Sequence, residues 1–182
     1  MKSAIGVLEL SSISQGFYVC DTMLKTAMVE LLVSRTICAG KYVVIVTGDV
    51  AEVTASVKAG EKAADFAYID STIIARIHPD VISAIRGIKL PEYLQALGVV
   101  ESFSVSSLVE AADFAVKTSQ VQLIEVRLAM ALGGKAFFSL TGTVADVKSA
   151  VQRAADYLKE KAALVNKVVI PNPRKEVYFE LV

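Results

Sequence analysis

The chain contains itself twice, and that limits its fold more than any other feature. Ala4-Ile5-Gly6-Val7-Leu8-Glu9 recurs as Ala96-Leu97-Gly98-Val99-Val100-Glu101, an offset of 92, and at that offset segments 4–35 and 96–127 share 12 of 32 residues. The shared positions include Ser12 with Ser104, Asp21 with Asp113, Lys25 with Lys117 and Arg35 with Arg127. Beyond Arg127 the offset becomes 94, pairing Gly40-Lys41 with Gly134-Lys135, Thr47-Gly48 with Thr141-Gly142, Val50-Ala51 with Val144-Ala145, and Pro79 with Pro173. The second repeat therefore carries two extra residues between Arg127 and Gly134. A period near 92 is too long for a solenoid unit and matches a duplicated globular domain. The repeats define domains at 1–91 and 92–182, with Ile88–Tyr93 as the linker.

Within one repeat the pattern reads strand, helix, strand, hairpin, strand, helix, strand. Ala4–Leu10 is an apolar run suited to a buried strand. Ser12 and Ser14 can cap a helix with Phe17, Cys20, Met23, Leu24 and Ala27 on its apolar stripe. Val29–Ile37 and Lys41–Thr47 are β-branched and aliphatic runs joined by Cys38-Ala39-Gly40, a hairpin signal. Asp49 stands where a cap would precede a helix bearing Val50, Val53, Val57 and Ala64, and Ala67–Ile77 returns as a strand that His78-Pro79 stops. This order predicts an α+β chain of two ferredoxin-like domains, each an antiparallel sheet with helices on one side.

Composition narrows the function classes. Lysine plus arginine and aspartate plus glutamate both total 19, and each half balances separately, so no basic field exists to hold nucleic acid or an anionic membrane. The chain is 54% hydrophobic, yet its longest stretch without a charge is the eleven residues Leu10–Cys20, short of the about 20 needed to span a bilayer. No secretory leader pattern opens the chain, which predicts a cytoplasmic protein. So apolar a protein is expected to hide surface against copies of itself. Two cysteines, Cys20 and Cys38, cannot make a disulfide framework.

The repeated Gly-Val-x-Glu starts, the Asp-x-x-x-Lys pairs at 21/25 and 113/117, Thr47-Gly48-Asp49-Val50 with Thr141-Gly142-Thr143-Val144, and the proline-bearing endings together resemble the tandem-domain shell proteins of bacterial microcompartments. The resemblance covers residues 4 to about 175. It implies that three chains form a pseudohexameric homotrimer with a central pore, and that such tiles pack edge to edge with other shell proteins around encapsulated enzymes, a redox enzyme among the possible partners. Its pore would be lined by Ile37, Cys38, Ala39 and Gly40 from one repeat and Met130, Ala131, Leu132, Gly133 and Gly134 from the other. A cysteine at this hairpin departs from the common Ile-Gly-Ser-Gly of the family and is similar to members whose pore binds an iron-sulfur cluster. The implied cofactor is a 4Fe-4S cluster shared by three chains at the threefold axis, with Cys38 as metal ligand and with loss expected in aerobically prepared protein. The resemblance also places Lys25, Lys117 and His78 at tile edges.

Each residue also has a plainer reading. Cys38 as a small apolar core residue is the ordinary fate of a lone cysteine, but a hairpin tip is an unusual place for it. Three thiols gathered at an axis would favour a soft cation and leave a cluster's fourth iron to another ligand. Cys20, on the helix stripe opposite Ala112 of the other repeat, reads as core packing. Lys25 and Lys117 read equally as solvated helical lysines, and His78 as structural, since Asn172 takes its place in repeat two. No catalytic constellation emerges: Glu9 and Glu101 are equivalent rather than complementary, and Gly133-Gly134-Lys135 is too short for a phosphate loop. The expectation is a non-enzymatic shell tile carrying electrons through its pore. The alternatives are an open-pore tile passing metabolites and, more remotely, a trimeric ligand-sensing regulator.

Overall fold

The computed structural model describes residues 4–89, 91, 94–130, 132–174 and 176–179. Packing divides it into two units, one of residues 1–77 with 129–134, the other of residues 78–128 with 135–182. The sequence repeats, cut at 91/92, and the packing units are thus different partitions of the chain. The segment after the first repeat's last strand belongs to the second unit, and the loop Ala129–Gly134 belongs to the first.

The first unit runs β1 (Ala4–Leu10), α1 (Ile13–Thr26), β2 (Glu30–Ile37), β3 (Lys41–Gly48), α2 (Val50–Ala64) and β4 (Tyr68–Ala75). Its antiparallel sheet has the order β2-β3-β1-β4, the ferredoxin-like arrangement that the element order predicts. β1 is central and every residue in it is buried, which is why Ala4–Leu10 is apolar without alternation. Its core gathers Leu8, Leu10, Val19, Cys20, Met23, Tyr42, Val44, Val46, Val53 and Val57.

Two repeated residues have structural work here. A Cβ on Gly6 would stand 2.4 Å from Val57 Cγ2, and one on Gly98 2.7 Å from Val151 Cγ2, so glycine lets a helix lie directly on the central strand of each sheet. The buried hydroxyls of Thr47 and Thr141 donate to the carbonyls of Ala4 and Ala96, both over 2.8 Å, tying strand ends together.

The second unit opens with a helix absent from the sequence expectation. Pro79–Arg86 forms α3, which starts where His78-Pro79 was read only as a stop. Proline at the first helical position suits a helix start, His78 Nδ1 accepts from the Asp80 N–H over 3.3 Å, and Gly87 closes the other end. Val81, Ala84 and Ile85 face inward. There follow β5 (Ala96–Ser102), α4 (Val105–Thr118), β6 (Val121–Arg127), β7 (Ala136–Gly142), α5 (Val144–Glu160), β8 (Leu164–Pro171) and the short α6 (Glu176–Phe179). The sheet order β6-β7-β5-β8 repeats that of the first unit.

Two details differ from the sequence reading. α1 buries Gly16, Val19, Cys20 and Met23, whereas Phe17 is 65% exposed and Leu24 is exposed as well. The helix meets the sheet through Gly16, seated on the Tyr42 ring, which turns the inward stripe toward Val19 and leaves Phe17 beside that ring at a 5.2 Å centroid distance. Asp49 occupies the cap position of α2 without a side-chain cap bond, whereas Thr143 in repeat two accepts from the Asp146 N–H.

Candidate functional site

The Cys38 loop is one tight turn between β2 and β3. Ile37 is buried, Cys38 is half-buried, and Ala39 and Gly40 are exposed. Ala39 sits at φ 64° and ψ 33°, left-handed backbone that disfavours a side chain by roughly 1–2 kcal/mol. Gly40 follows at φ 71°. The turn is held by main-chain bonds: Cys38 N–H donates to Ala129 O over 2.7 Å, and Leu132 N–H donates to Cys38 Sγ over 3.2 Å. Neither Cys38 nor Cys20 is in a disulfide, and Cys20 is buried in the first unit's core as the packing reading expects.

The longer loop has two characters. Leu128 and Ala129 are buried, Ala129 at φ 53°, while Met130 is half exposed. Gly133 and Gly134 have φ 61° and 84°, and a Cβ at either, or at Gly40, would meet nothing within 4 Å. Ala131, also expected to line the pore, lies outside the described residues, as do Leu90, Glu92 and Tyr93 of the linker.

At the root of each loop the first residue past it pairs with the glutamate of the Gly-Val-x-Glu motif. Lys41 Nζ lies 3.6 Å from the fully buried Glu9 carboxylate, and Lys135 Nζ lies 3.2 Å from that of Glu101. The motif glutamates thus anchor the hairpins.

The paired lysines are anchored within their own helices. Lys25 bonds to Asp21 over 2.6 Å, and Lys117 to Asp113 over 2.5 Å. The pairs differ in depth, because the Asp21 side chain is 57% exposed and the Asp113 side chain 3%. His78 explains the difference: its main-chain N–H donates to Asp113 Oδ1 over 2.8 Å and brings α3 onto α4 and β6. The backbone of His78, rather than its imidazole, makes this contact.

One further group escaped the sequence reading. Glu125 on β6 is buried, its Oε2 accepts from Arg127 Nε over 2.7 Å, and its Oε1 has no hydrogen-bond partner. Burial holds its carboxyl above the usual carboxylate range, with Arg127 pulling the other way. Its strand neighbour Ser139 is buried with an unpartnered hydroxyl, and the register equivalents in repeat one are the aliphatic Val33 and Ile45. That loss of alternation in polarity between repeats is the signal that could have found it.

Among the described residues of one chain, no three histidine, cysteine or acidic side chains come together as a metal site. The Cys38 loop of one chain contributes one sulfur.

Two ferredoxin-like units with these matching anchors define a tandem shell-domain protein. The BMC domain family matches residues 4–77 and 96–173, and the chain belongs to that family, as a shell protein of bacterial microcompartments. It is similar over its whole length to the bacterial microcompartment shell protein PduT of Citrobacter freundii, with 42% identity over 182 residues, 100% of this chain and 99% of the relative. A crystal structure of a microcompartment protein from Desulfitobacterium hafniense DCB superposes with a TM-score of 0.92 at 43% identity, covering 98% of this chain and 99% of that one. The carboxysome shell protein CcmK2 of Synechocystis matches a single repeat, 38% identical over 85 residues, 44% of this chain and 82% of that protein. The fused permuted shell protein MSM0275, at 23% identity and a TM-score of 0.65 over 86% of this chain and 83% of that one, shares the fold. No helix among the described residues is long and apolar enough to cross a membrane.

Proposed function

We propose that the chain is a non-enzymatic shell tile in which three copies close around a pore, and that three Cys38 thiols hold an iron-sulfur cluster there. The observation that carries this reading is the Leu132 N–H aimed at Cys38 Sγ over 3.2 Å. A sulfur half-buried on a fixed turn, receiving a main-chain hydrogen bond, suits a cluster ligand, since such bonds stabilise the charge that a cluster gains on reduction. The residues present fit the group once three chains supply their thiols, with the fourth iron left to an outside ligand. A bound cluster would supply one-electron transfer across the shell.

The chain's own part is to present the thiol, to exclude water with Met130 and Leu132, and to keep the hairpin roots rigid through Glu9–Lys41 and Glu101–Lys135. Partners are other shell proteins along the tile edges, where Lys25, Lys117 and His78 are assigned, and an encapsulated redox enzyme. The open space beside Gly40, Gly133 and Gly134 favours a second reading, a tile with uncovered thiols passing a small metabolite. Iron and sulfide analysis of anaerobically purified protein separates the two. Equal amounts of iron and sulfide at about four each per trimer support the cluster, and their absence after anaerobic reconstitution leaves the open pore.

A further inference from the structure

α5 and β8 leave a groove of about 470 Å³ between them, with an apolar floor and a cationic rim. The floor is built around Gly98. Val169 is its partner on β8, and the Val151 side chain takes the space that a Cβ on Gly98 would need. Lys148, Ser149 and Gln152 line the groove from α5, all exposed, and the half-buried Lys167 lines it from β8. Lys167 Nζ donates to Gln152 Oε1, and Gln152 Nε2 donates to Asp156 Oδ1 over 2.6 Å, a turn beyond the groove. Lys148 and Ser149 have no hydrogen bond or ion pair among the described residues.

Repeat one has the same floor and a different rim. Gly6 meets Val57 as Gly98 meets Val151, so Thr54, Ala55 and Lys58 on α2 stand where Lys148, Ser149 and Gln152 stand on α5. Ser71 pairs with Leu8 as Lys167 pairs with Val100, and its hydroxyl donates to Glu61 of α2 over 2.6 Å. Ala155 takes the place of Glu61 on α5. A rim of one lysine and one carboxylate in repeat one has thus become a rim of two lysines in repeat two. The fold does not require the change, because both repeats keep the glycine and valines that seat helix on sheet. Ala55 and Lys58 are exposed as Ser149 and Gln152 are, so this wall faces water in both repeats.

We propose that the α5–β8 groove binds a small phosphate monoester with an aliphatic stem. The stem lies on Val151 and Val169, and the phosphate sits between the ammonium groups of Lys148 and Lys167. An apolar floor with a few converging polar groups is the anatomy of a small-molecule site. A lysine acts on phosphate as a point charge, so a dianionic headgroup matches two of them where a carboxylate matches one. Each ammonium has three donors, which lets Lys167 keep Gln152 while it bonds the phosphate. The Ser149 hydroxyl is a further donor on the same wall. Because the site is open to water, salt weakens binding.

The test titrates the full chain, labelled at its valine methyl groups, with hexyl phosphate, hexanoate and 1-hexanol in methyl NMR spectra. Hexyl phosphate at millimolar concentration should shift the Val151 and Val169 methyls saturably, and added sodium chloride should weaken the effect. The Lys148→Gln/Lys167→Gln double variant should lose affinity by about tenfold or more, the equivalent of one hydrogen bond to a charged group, with its Tm nearly unchanged. Lys58→Gln, on the matching helix of repeat one, should bind as wild type does. Hexanoate should bind more weakly and 1-hexanol more weakly still. No saturable shift at the two valines, or unchanged affinity in the double variant, overturns the site. Hexanoate or 1-hexanol binding as tightly as hexyl phosphate overturns the assignment of phosphate.

Discussion

Leu132 N–H donates to Cys38 Sγ over 3.2 Å, joining residues 94 positions apart in the chain. The bond assigns the two extra residues of the second repeat a role, because they lengthen the loop that brings Leu132 to the sulfur. Cys38→Ser should abolish iron binding with the fold intact, while Cys20→Ser should retain iron and lower Tm, as a hydroxyl in that core lacks a partner. In iron-loaded protein, Leu132→Pro deletes the donor and should move the reduction potential negative, read by voltammetry. Iron kept by Cys38→Ser would show that another group holds it.

Glu125 gives a pH dependence with a definite sign. Its carboxyl titrates above the usual value because burial penalises the charge. The protonated form is thus the one that folding favours, and its contribution is complete below about pH 4.3 and lost as pH rises through the folded pKa. Glu125→Gln removes that loss. The variant's Tm relative to wild type should climb as pH goes from 4 to 8, and a difference that stays flat across that range would place the charge in a solvated setting.

Gly6 and Gly98 mark where a helix lies directly on the central strand of each unit. Gly6→Ala puts a methyl group against the branched side chains of Val57 and Val53, and such overpacking costs about 1–3 kcal/mol. Gly98→Ala should behave alike against Val151 and Val147. Alanine at Gly133, whose added Cβ meets nothing, should cost only the strain of its positive φ. Denaturant midpoints rank the three, and an undisturbed Gly6 variant would refute the close packing.

The lysine pairs should part company in stability. Lys25→Ala breaks a solvated pair, worth about 0–1 kcal/mol, so it should leave Tm nearly unchanged. Lys117→Ala takes one of two partners from the buried Asp113 and should lower Tm by several degrees in thermal melts. If both lysines also lie on tile edges, electron microscopy should show the double variant failing to form sheets while remaining trimeric. Loss of the trimer together with the sheets would assign them to the joints within one tile.

The fold was legible because duplication printed every structural anchor twice: the glycine under α2 and α5, the threonine hydroxyl at the strand end, the glutamate at the hairpin root. A residue that does one job in two places stands out by its register alone. α3 was not legible, because Val81, Ala84 and Ile85 make too short an apolar run to separate from the strand before it, and His78-Pro79 serves as stop and start at once. The misplaced stripe on α1 has a similar cause. Phe17 is an apolar residue that the described residues leave exposed, and periodicity cannot tell such a residue from a core one. Glu125 and Ser139 were invisible for the opposite reason, as polar residues at positions where only their aliphatic counterparts advertise burial.

The docking of α3 on α4 and β6 is made by residues of a single polypeptide, and that fixes what dilution can do. A tethered partner is present at an effective concentration of about millimolar however few molecules are in solution. The equivalent joint between copies has no tether and must follow mass action. A ring built from three such chains would then have joints of two kinetic classes alternating around it, three indifferent to concentration and three sensitive to it. On dilution it should come apart into whole chains in one step, and the threshold should be set by the joint between copies alone.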